Sequence, residues 1–309
     1  NIFEKKKISY WNIFKDKKFK HDKNYNYKNI LNAYMSQKDM DIFQKRRITK
    51  ISSLLKISKD KIKVQFHEDC HKYYSYFFFK ERKNGIAVTS EGIGDYSNGS
   101  VSIVKNGNFK LIAHNRHNHL GHIYQYITLL LGMKPSQHEY KVMGLAPYAS
   151  NYESEKSFKV FDKILKIKNL NVVFNKKPKD LFYHFKKELI DCRFDGIAGG
   201  LQKFLEKKLK SWFFACSKKL FYKDFYFSGG VAQNIKAGMS LNQHKELNKV
   251  LIPPAAGDTS ISIGACYKAA SDYCEKNRIS KLKYIKPIDN MYLGHQIKKD
   301  EIIKFINEK

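Results

Sequence analysis

His67 and His71 lie four residues apart with Glu68 directly after the first. On a helix this spacing puts both imidazoles on one face, where they can reach a single metal ion. Read literally, His67-Glu68-Asp69-Cys70-His71 is the H-E-x-x-H pattern of zinc peptidases, in which the glutamate is the general base. Glu91 and Asp95 follow at a distance where some such peptidases place a third ligand and its supporting carboxylate. Two features oppose that reading. Glu91 stands beside Gly92 and Gly94 in a glycine-rich turn, whereas the peptidase ligand needs a rigid helix. The other version of the motif needs a histidine where this chain has Phe77. The alternative for the pair is two partly buried histidines with satisfied hydrogen bonds.

Three further segments combine turn residues with polar groups. Ser228-Gly229-Gly230-Val231-Ala232-Gln233-Asn234 runs from an apolar strand pattern into a helix pattern. Glycines there let backbone N–H groups approach a phosphate at a helix N-terminus, or simply make a tight turn. Pro253-Pro254-Ala255-Ala256-Gly257-Asp258-Thr259 occupies a second such junction, where Asp258 could bind a metal or cap the next helix. In Glu139-Tyr140-Lys141-Val142-Met143-Gly144-Leu145-Ala146-Pro147-Tyr148, Lys141 could pair with a phosphate or carboxylate, or be an ordinary surface lysine before a turn.

The elements that must position these residues follow from periodicity. Asp41–Lys56 carries apolar residues spaced for one helical face, Ile62–Phe66 reads as a short strand, and His67–Phe79 as an aromatic-rich helix. Gly85–Ser90, Ser100–Lys105 and Phe109–His114 read as strands, the last two joined by Asn106-Gly107, a hairpin signal. Helices are expected over His122–Leu131, Lys156–Ile167, Ile197–Leu220, Gln233–Asn242 and from Ser260 to about Glu275. Strands are expected at Phe225–Ser228 and Val250–Pro253. Residues 1–40 have no clean period and read as helical pieces among loops. Strands alternating with helices, with glycine-rich turns at strand ends, predict an α/β protein, and the composition shift near Lys80–Asn84 predicts a lobe boundary.

Composition excludes several classes. At 309 residues, 42% hydrophobic and 14% aromatic, the chain can bury a substantial core, which rules out global disorder. No apolar run is long enough to span a bilayer, and the start carries no secretory signal pattern. The net charge of +29 invites nucleic acid. Because the lysines are scattered along the whole length, the reading preferred here is solvated surface, and a nucleic-acid partner is disfavoured. Five cysteines without CxxC spacing favour reduced thiols and a cytoplasmic compartment. The many Tyr and Phe residues leave room for a homo-oligomeric interface. Asn1 in place of a methionine makes a fragment boundary the expectation.

The order of the motifs is more specific than any one of them. His67-x-x-x-His71 is followed by Glu91-Gly92-Ile93-Gly94-Asp95, then by Tyr140-Lys141-Val142-Met143-Gly144-Leu145-Ala146-Pro147-Tyr148. Next come Ile197-Ala198 with Gln202 and Glu206, then Gly229-Gly230-Val231-Ala232-Gln233-Asn234, then Pro254-Ala255-Ala256-Gly257-Asp258, with an echo at Tyr292-Leu293-Gly294. In this order they resemble the O-carbamoyltransferase family, whose members modify nodulation factors, cephalosporins and aminoglycosides. The resemblance implies a two-lobed, actin-like (ribonuclease-H-type) ATPase core, related to the transferases that make threonylcarbamoyl-adenosine in tRNA. It implies a divalent metal, Fe(II) favoured with Zn or Mn as alternatives, held by His67, His71 and Asp258. That metal grips the phosphate of a carbamoyl-adenylate, whose carbamoyl group passes to a hydroxyl of a small molecule or sugar. Nucleotide contacts fall on Gly92, Gly94, Gly229, Gly230, Asn234 and Gly257; the catalytic candidates are Glu91, Asp95 and Lys141, with no base singled out.

The resemblance also sets expectations of organisation. Residues 1–83 would form an incomplete first lobe carrying the histidine helix, 84–294 the nucleotide-binding lobe, and 295–309 the start of a linker. The domain that makes carbamoyl-adenylate from ATP and carbamoyl phosphate would lie outside this chain, which is then expected to be inactive alone. The sequence departs from the family pattern at Glu91-Gly92, where Asp-Gly is usual, and near Asp195, where Gly196 intervenes before Ile197-Ala198. The family's early strand pair is not recognisable before His67. A tRNA threonylcarbamoyl-type transferase is the alternative function, and a zinc metallopeptidase the third.

Overall fold

A computed structural model describes residues 37–308 apart from Ile93, Tyr96, Leu293, His295 and Gln296. The expectations for residues 1–36 and for Leu293 therefore fall outside the described residues. Helices α1 (Gln37–Leu55) and α2 (His67–Phe77) precede the strands β1 (Gly85–Ser90), β2 (Gly99–Lys105) and β3 (Asn108–Asn115). Then come α3 (Leu120–Leu130), α4 (Glu139–Leu145), α5 (Asn151–Asp162), the hairpin β4 (Leu165–Lys168) and β5 (Asn171–Phe174), and α6 (Leu181–Glu188). The long α7 (Phe194–Leu220) leads to β6 (Asp224–Ser228), α8 (Ile235–Asn242), β7 (Lys249–Leu251), α9 (Ile261–Lys276), α10 (Lys281–Tyr284) and α11 (Lys299–Asn307). The fold is α/β, as expected.

Five strands form one mixed sheet in the order β3-β2-β1-β6-β7. β1, β2 and β3 pair antiparallel, while β6 lies parallel to β1 and β7 parallel to β6. Only β2 runs against the others. The β2–β3 turn forms where Asn106-Gly107 predicts it, both residues having positive φ (50° and 78°), the geometry of a two-residue hairpin loop.

Both faces of the central strands are covered, so their sequences read as unbroken apolar runs. Alternation along each strand assigns the faces. Ile86, Val88, Phe225 and Phe227 point toward α3, α7 and α8 in the larger core. Ala87 and Tyr226 point the other way, into a second core with Tyr73, Tyr74, Tyr76 and Phe77 of α2 and Tyr267 and Cys274 of α9. α2 and α9 run close together because Gly264 of α9 has no side chain: a Cβ there would lie 2.0 Å from the carbonyl oxygen of Cys70. No helix among the described residues is long and apolar enough to cross a membrane.

Three local expectations are corrected. Ile62–Phe66 pairs with no strand among the described residues; β-branched composition needs a ladder partner, and this segment leads instead, extended, into α2. The helix expected over 156–167 begins earlier, at Asn151, where the Ser150 hydroxyl accepts the Glu153 N–H, and ends at Asp162. Leu165–Lys168 turns back through Asn169 and Leu170, both at positive φ (49° and 65°), to pair with β5. A leucine at positive φ is held there by burial: it is 4% exposed, and its carbonyl accepts the indole N–H of the fully buried Trp212 at 2.7 Å.

Candidate metal centre and the adjoining cavity

The two histidines occupy the first turns of α2, which is buried from Cys70 to Phe77, His71 included. No side chain at Phe66 caps this helix. The cap comes from the glycine-rich turn instead: Asp95 Oδ2 accepts the His67 N–H at 2.8 Å. That turn is itself tied down, Glu91 N–H donating to the Asn98 carbonyl at 2.9 Å and Asn98 N–H to that of Asn115 at 3.0 Å.

His67 Nε2 and the fully buried His71 Nε2 approach to 3.0 Å, and Asp258 Oδ1 lies 3.4 Å from each. Glu91 Oε1 is 2.7 Å from His71 Nε2. Ligand-type atoms of these four residues all lie within 4.8 Å of one another. Asp258 thus projects toward the histidines and makes no cap hydrogen bond to α9, whose N-cap is Ser260. The turn that should have disqualified Glu91 delivers it to His71, a correction with a simple cause. Glu91 directly follows β1, and the parallel register Thr89↔Ser228 sets it beside Gly229 and Gly230 at the same end of the sheet.

Four groups that accept hydrogen bonds or coordinate cations, packed this tightly, call for a positive charge among them. Burial lowers the basicity of His71, but its hydrogen bonds to Asp258 and Glu91 outweigh that and push it up to about 9. The same contacts, His67 first, hold the Asp258 carboxyl far below the usual carboxylate range. Two imidazoles and two carboxylates are the donor chemistry of borderline divalent metals such as Fe(II), Zn(II) and Mn(II), so the residues present fit such an ion.

Glu68 takes no part. Its carboxylate accepts the Ser97 hydroxyl and lies 3.4 Å from His114 Nε2. Burial raises its carboxyl, but the hydrogen bonds from His114 and Ser97, with the nearby Lys72 ammonium, bring it down to about 2. A carboxylate so placed cannot serve the histidine pair as a general base, which removes the peptidase reading. Asp195 is also remote from the centre, in a two-bond pair with Arg193 at 3.1 and 3.0 Å.

A cavity of about 590 Å³ adjoins the centre, with Glu91, Gly92, Gly230, Asn234 and Asp258 in its wall. Of the six predicted nucleotide contacts, Gly92, Gly230 and Asn234 line it, whereas Gly94, Gly229 and Gly257 do not. Gly229 is required by its backbone, with φ at +102° and a Cβ that would stand 2.3 Å from the Ser90 carbonyl oxygen. Its N–H donates to the Ala256 carbonyl and that of Gly230 to Glu91 Oε1, both at 2.8 Å. Asn234 accepts the Ala237 N–H as the cap of α8 and exchanges hydrogen bonds with Gln202 at 2.8 and 3.1 Å. Gln202 also donates to Glu206 at 2.8 Å and accepts from the Tyr124 hydroxyl at 3.2 Å. Lys141 is exposed, outside the lining, with its ammonium over the Tyr140 ring. Tyr124, Gln125 and Glu139 line the cavity and were not singled out as functional; Tyr124 and Gln125 sit in an apolar helical run that reads as core. Burial raises the Glu139 carboxyl.

Comparison with known proteins agrees with the motif order. The family model described as "Carbamoyltransferase N-terminus" matches residues 7–267. Uncharacterized protein MJ1058 of Methanocaldococcus jannaschii is 24% identical over 275 residues, 81% of this chain and 43% of its own length. MJ1051 of the same organism is 26% identical over 270 residues (85% and 49%), and sll1178 of Synechocystis 26% over 273 (81% and 43%). The chain therefore spans about half the length of the curated relatives it matches. Among solved structures, HypF of T. kodakarensis aligns over 77% of this chain and 40% of that one, at 11% identity and a TM-score of 0.39, too low to weigh in the assignment. Because the family match covers well over half of the residues, and takes in both histidines, both glycine turns and Asp258, the chain belongs to the carbamoyltransferase N-terminus family.

Proposed function

We propose that this chain is a transferase core that passes a carbamoyl group from carbamoyl-adenylate to a hydroxyl of a small molecule or sugar. The observation that carries this reading is the meeting of His67, His71 and Asp258, from α2 and from the turn after β7, beside a cavity of about 590 Å³ whose wall includes Asp258. That volume suits a nucleotide-sized ligand. A divalent ion held by these residues, Fe(II) by preference and Zn or Mn otherwise, would neutralise the adenylate phosphate. Gly92 and Gly230 add no side chain to the cavity wall, and the paired hydrogen bonds with Gln202 hold the lining Asn234 amide in fixed orientation.

We read the mixed sheet as a ribonuclease-H-type lobe of an actin-like ATPase core, a reading supported by three antiparallel strands continued by two parallel ones with helices on both faces. In this scheme carbamoyl-adenylate is made from ATP and carbamoyl phosphate by a separate unit, consistent with relatives about twice as long. The test is calorimetric titration of AMP into the metal-free chain with and without Fe(II) or Zn(II), for wild type and Asp258→Asn. Metal-dependent AMP binding that the variant loses is the expected result. AMP binding indifferent to metal and to Asp258→Asn would refute the reading.

A further inference from the structure

We infer that Tyr74 is a positioning residue for Asp258: its hydroxyl pins the turn after β7 in the backbone conformation that aims the carboxylate at the two histidines. The inference rests on the metal reading of His67, His71 and Asp258 proposed above. Tyr74 stands three residues after His71 and seven after His67, so all three lie on one stripe of α2. Its hydroxyl donates to the Pro254 carbonyl at 2.6 Å. One helix thus carries both imidazoles and also grips the turn that delivers Asp258.

Three observations give the hydroxyl this role. The Asp258 side chain is 69% exposed, so packing does not orient it; its approach to 3.4 Å from each histidine follows from its own backbone. That backbone is strained. Ala255 sits at a φ of 51°, a left-handed conformation that a residue with a Cβ keeps only when its neighbours are tied down. The ties stand on either side of it: the Pro254 carbonyl takes the Tyr74 hydroxyl, and the Ala256 carbonyl takes the Gly229 N–H at 2.8 Å.

Tyr74, for its part, sits on a rigid support. It is fully buried, its ring meets that of Phe78, and the segment 285–291 closes over it. Met291 Sδ lies 3.8 Å from the hydroxyl, and the Ile288 N–H donates to the Phe78 carbonyl at 3.3 Å. On the other side of the helix turn, the Ser228 hydroxyl donates to the His71 carbonyl at 2.9 Å and locks α2 to the end of β6. The Tyr74 hydroxyl therefore cannot follow the turn if the turn relaxes. It holds Pro254 in place, and through Ala255 it holds the direction of Asp258.

The experiment is titration of the metal-free 309-residue chain with Co(II), read by its visible absorption bands and by competition with a chelator, with urea unfolding of the chelated proteins alongside. Wild type is compared with Tyr74→Phe, the double variant Tyr74→Phe/Ala255→Gly, and Asp258→Asn. Phenylalanine removes one oxygen and keeps the ring in the second core, so the chain still folds. The expected result is a roughly tenfold loss of Co(II) affinity in Tyr74→Phe with a shifted band envelope. The double variant should regain most of that loss, because glycine adopts a positive φ without strain and needs no tie. Ala255 is exposed, so this recovery does not come from better core packing. Wild-type affinity and spectrum in Tyr74→Phe, with only its urea midpoint lowered and with binding lost in Asp258→Asn, would overturn the inference and leave the metal reading standing. A loss in Tyr74→Phe that glycine does not recover would overturn it too, since the hydroxyl would then act by a route other than the turn. No Co(II) binding by the folded wild type would overturn both.

Discussion

His119, immediately before α3, offers a stability test whose sign and size follow from its surroundings. The residue is 1% exposed, with its Nδ1 3.3 Å from that of His122 and its ring against Phe174. Burial, then the neighbouring His122 and His117, depress its pKa from 6.5 to about 2. Between those values the unfolded chain binds a proton that the native protein refuses, so His119 erodes stability as the pH falls below 6.5. From pH 6.5 to 5 is a unit and a half, and at about 1.36 kcal/mol per unit the loss is about 2 kcal/mol. His71 works in the opposite sense when no metal is bound: its pKa is raised, so its contribution is complete below 6.5 and is lost as the pH rises through about 9. The contrast between wild type and His119→Asn cancels His71. Urea unfolding of both chelated proteins at pH 7, 6 and 5 should show wild type losing about 2 kcal/mol more than the variant. Equal losses would mean that His119 is protonated in the native state, and the burial reasoning would fail.

Two further perturbations test how the fold holds the centre. Gly264→Val puts a side chain where a Cβ already stands 2.0 Å from the Cys70 carbonyl oxygen, so α2 and α9 must separate. A loss of about 2–3 kcal/mol on thermal unfolding is expected, with weakened Co(II) binding because α2 carries both histidines. Unchanged stability would show that the helices are not in contact there. Asp95→Ala removes the acceptor of the His67 N–H and should cost about 1 kcal/mol, with faster amide exchange confined to the first turn of α2; uniform exchange would contradict a capping role.

Much of this protein was legible before folding because it is local. The strand Gly85–Ser90, the Asn106-Gly107 hairpin and the helix bearing His67 and His71 follow from periodicity and turn chemistry within a few residues. Motif order alone also pointed to the family that the comparisons show. The β4–β5 hairpin was hidden because its turn uses Leu170 at positive φ, a conformation made tenable by a buried contact to Trp212 far along the chain. Glu91 and Glu68 show the same division at the centre. Sequence spacing set Glu68 between the histidines and left Glu91 in a glycine turn; the folded chain sends Glu68 to Ser97 and His114 and brings Glu91 to His71. A helix fixes which side chains share its face, but where a carboxylate on another element ends up depends on strand register and on how closely backbones approach. Here those are the parallel pairing of β1 with β6 and the missing side chains of Gly121, Gly229 and Gly264, and both belong to the tertiary structure alone.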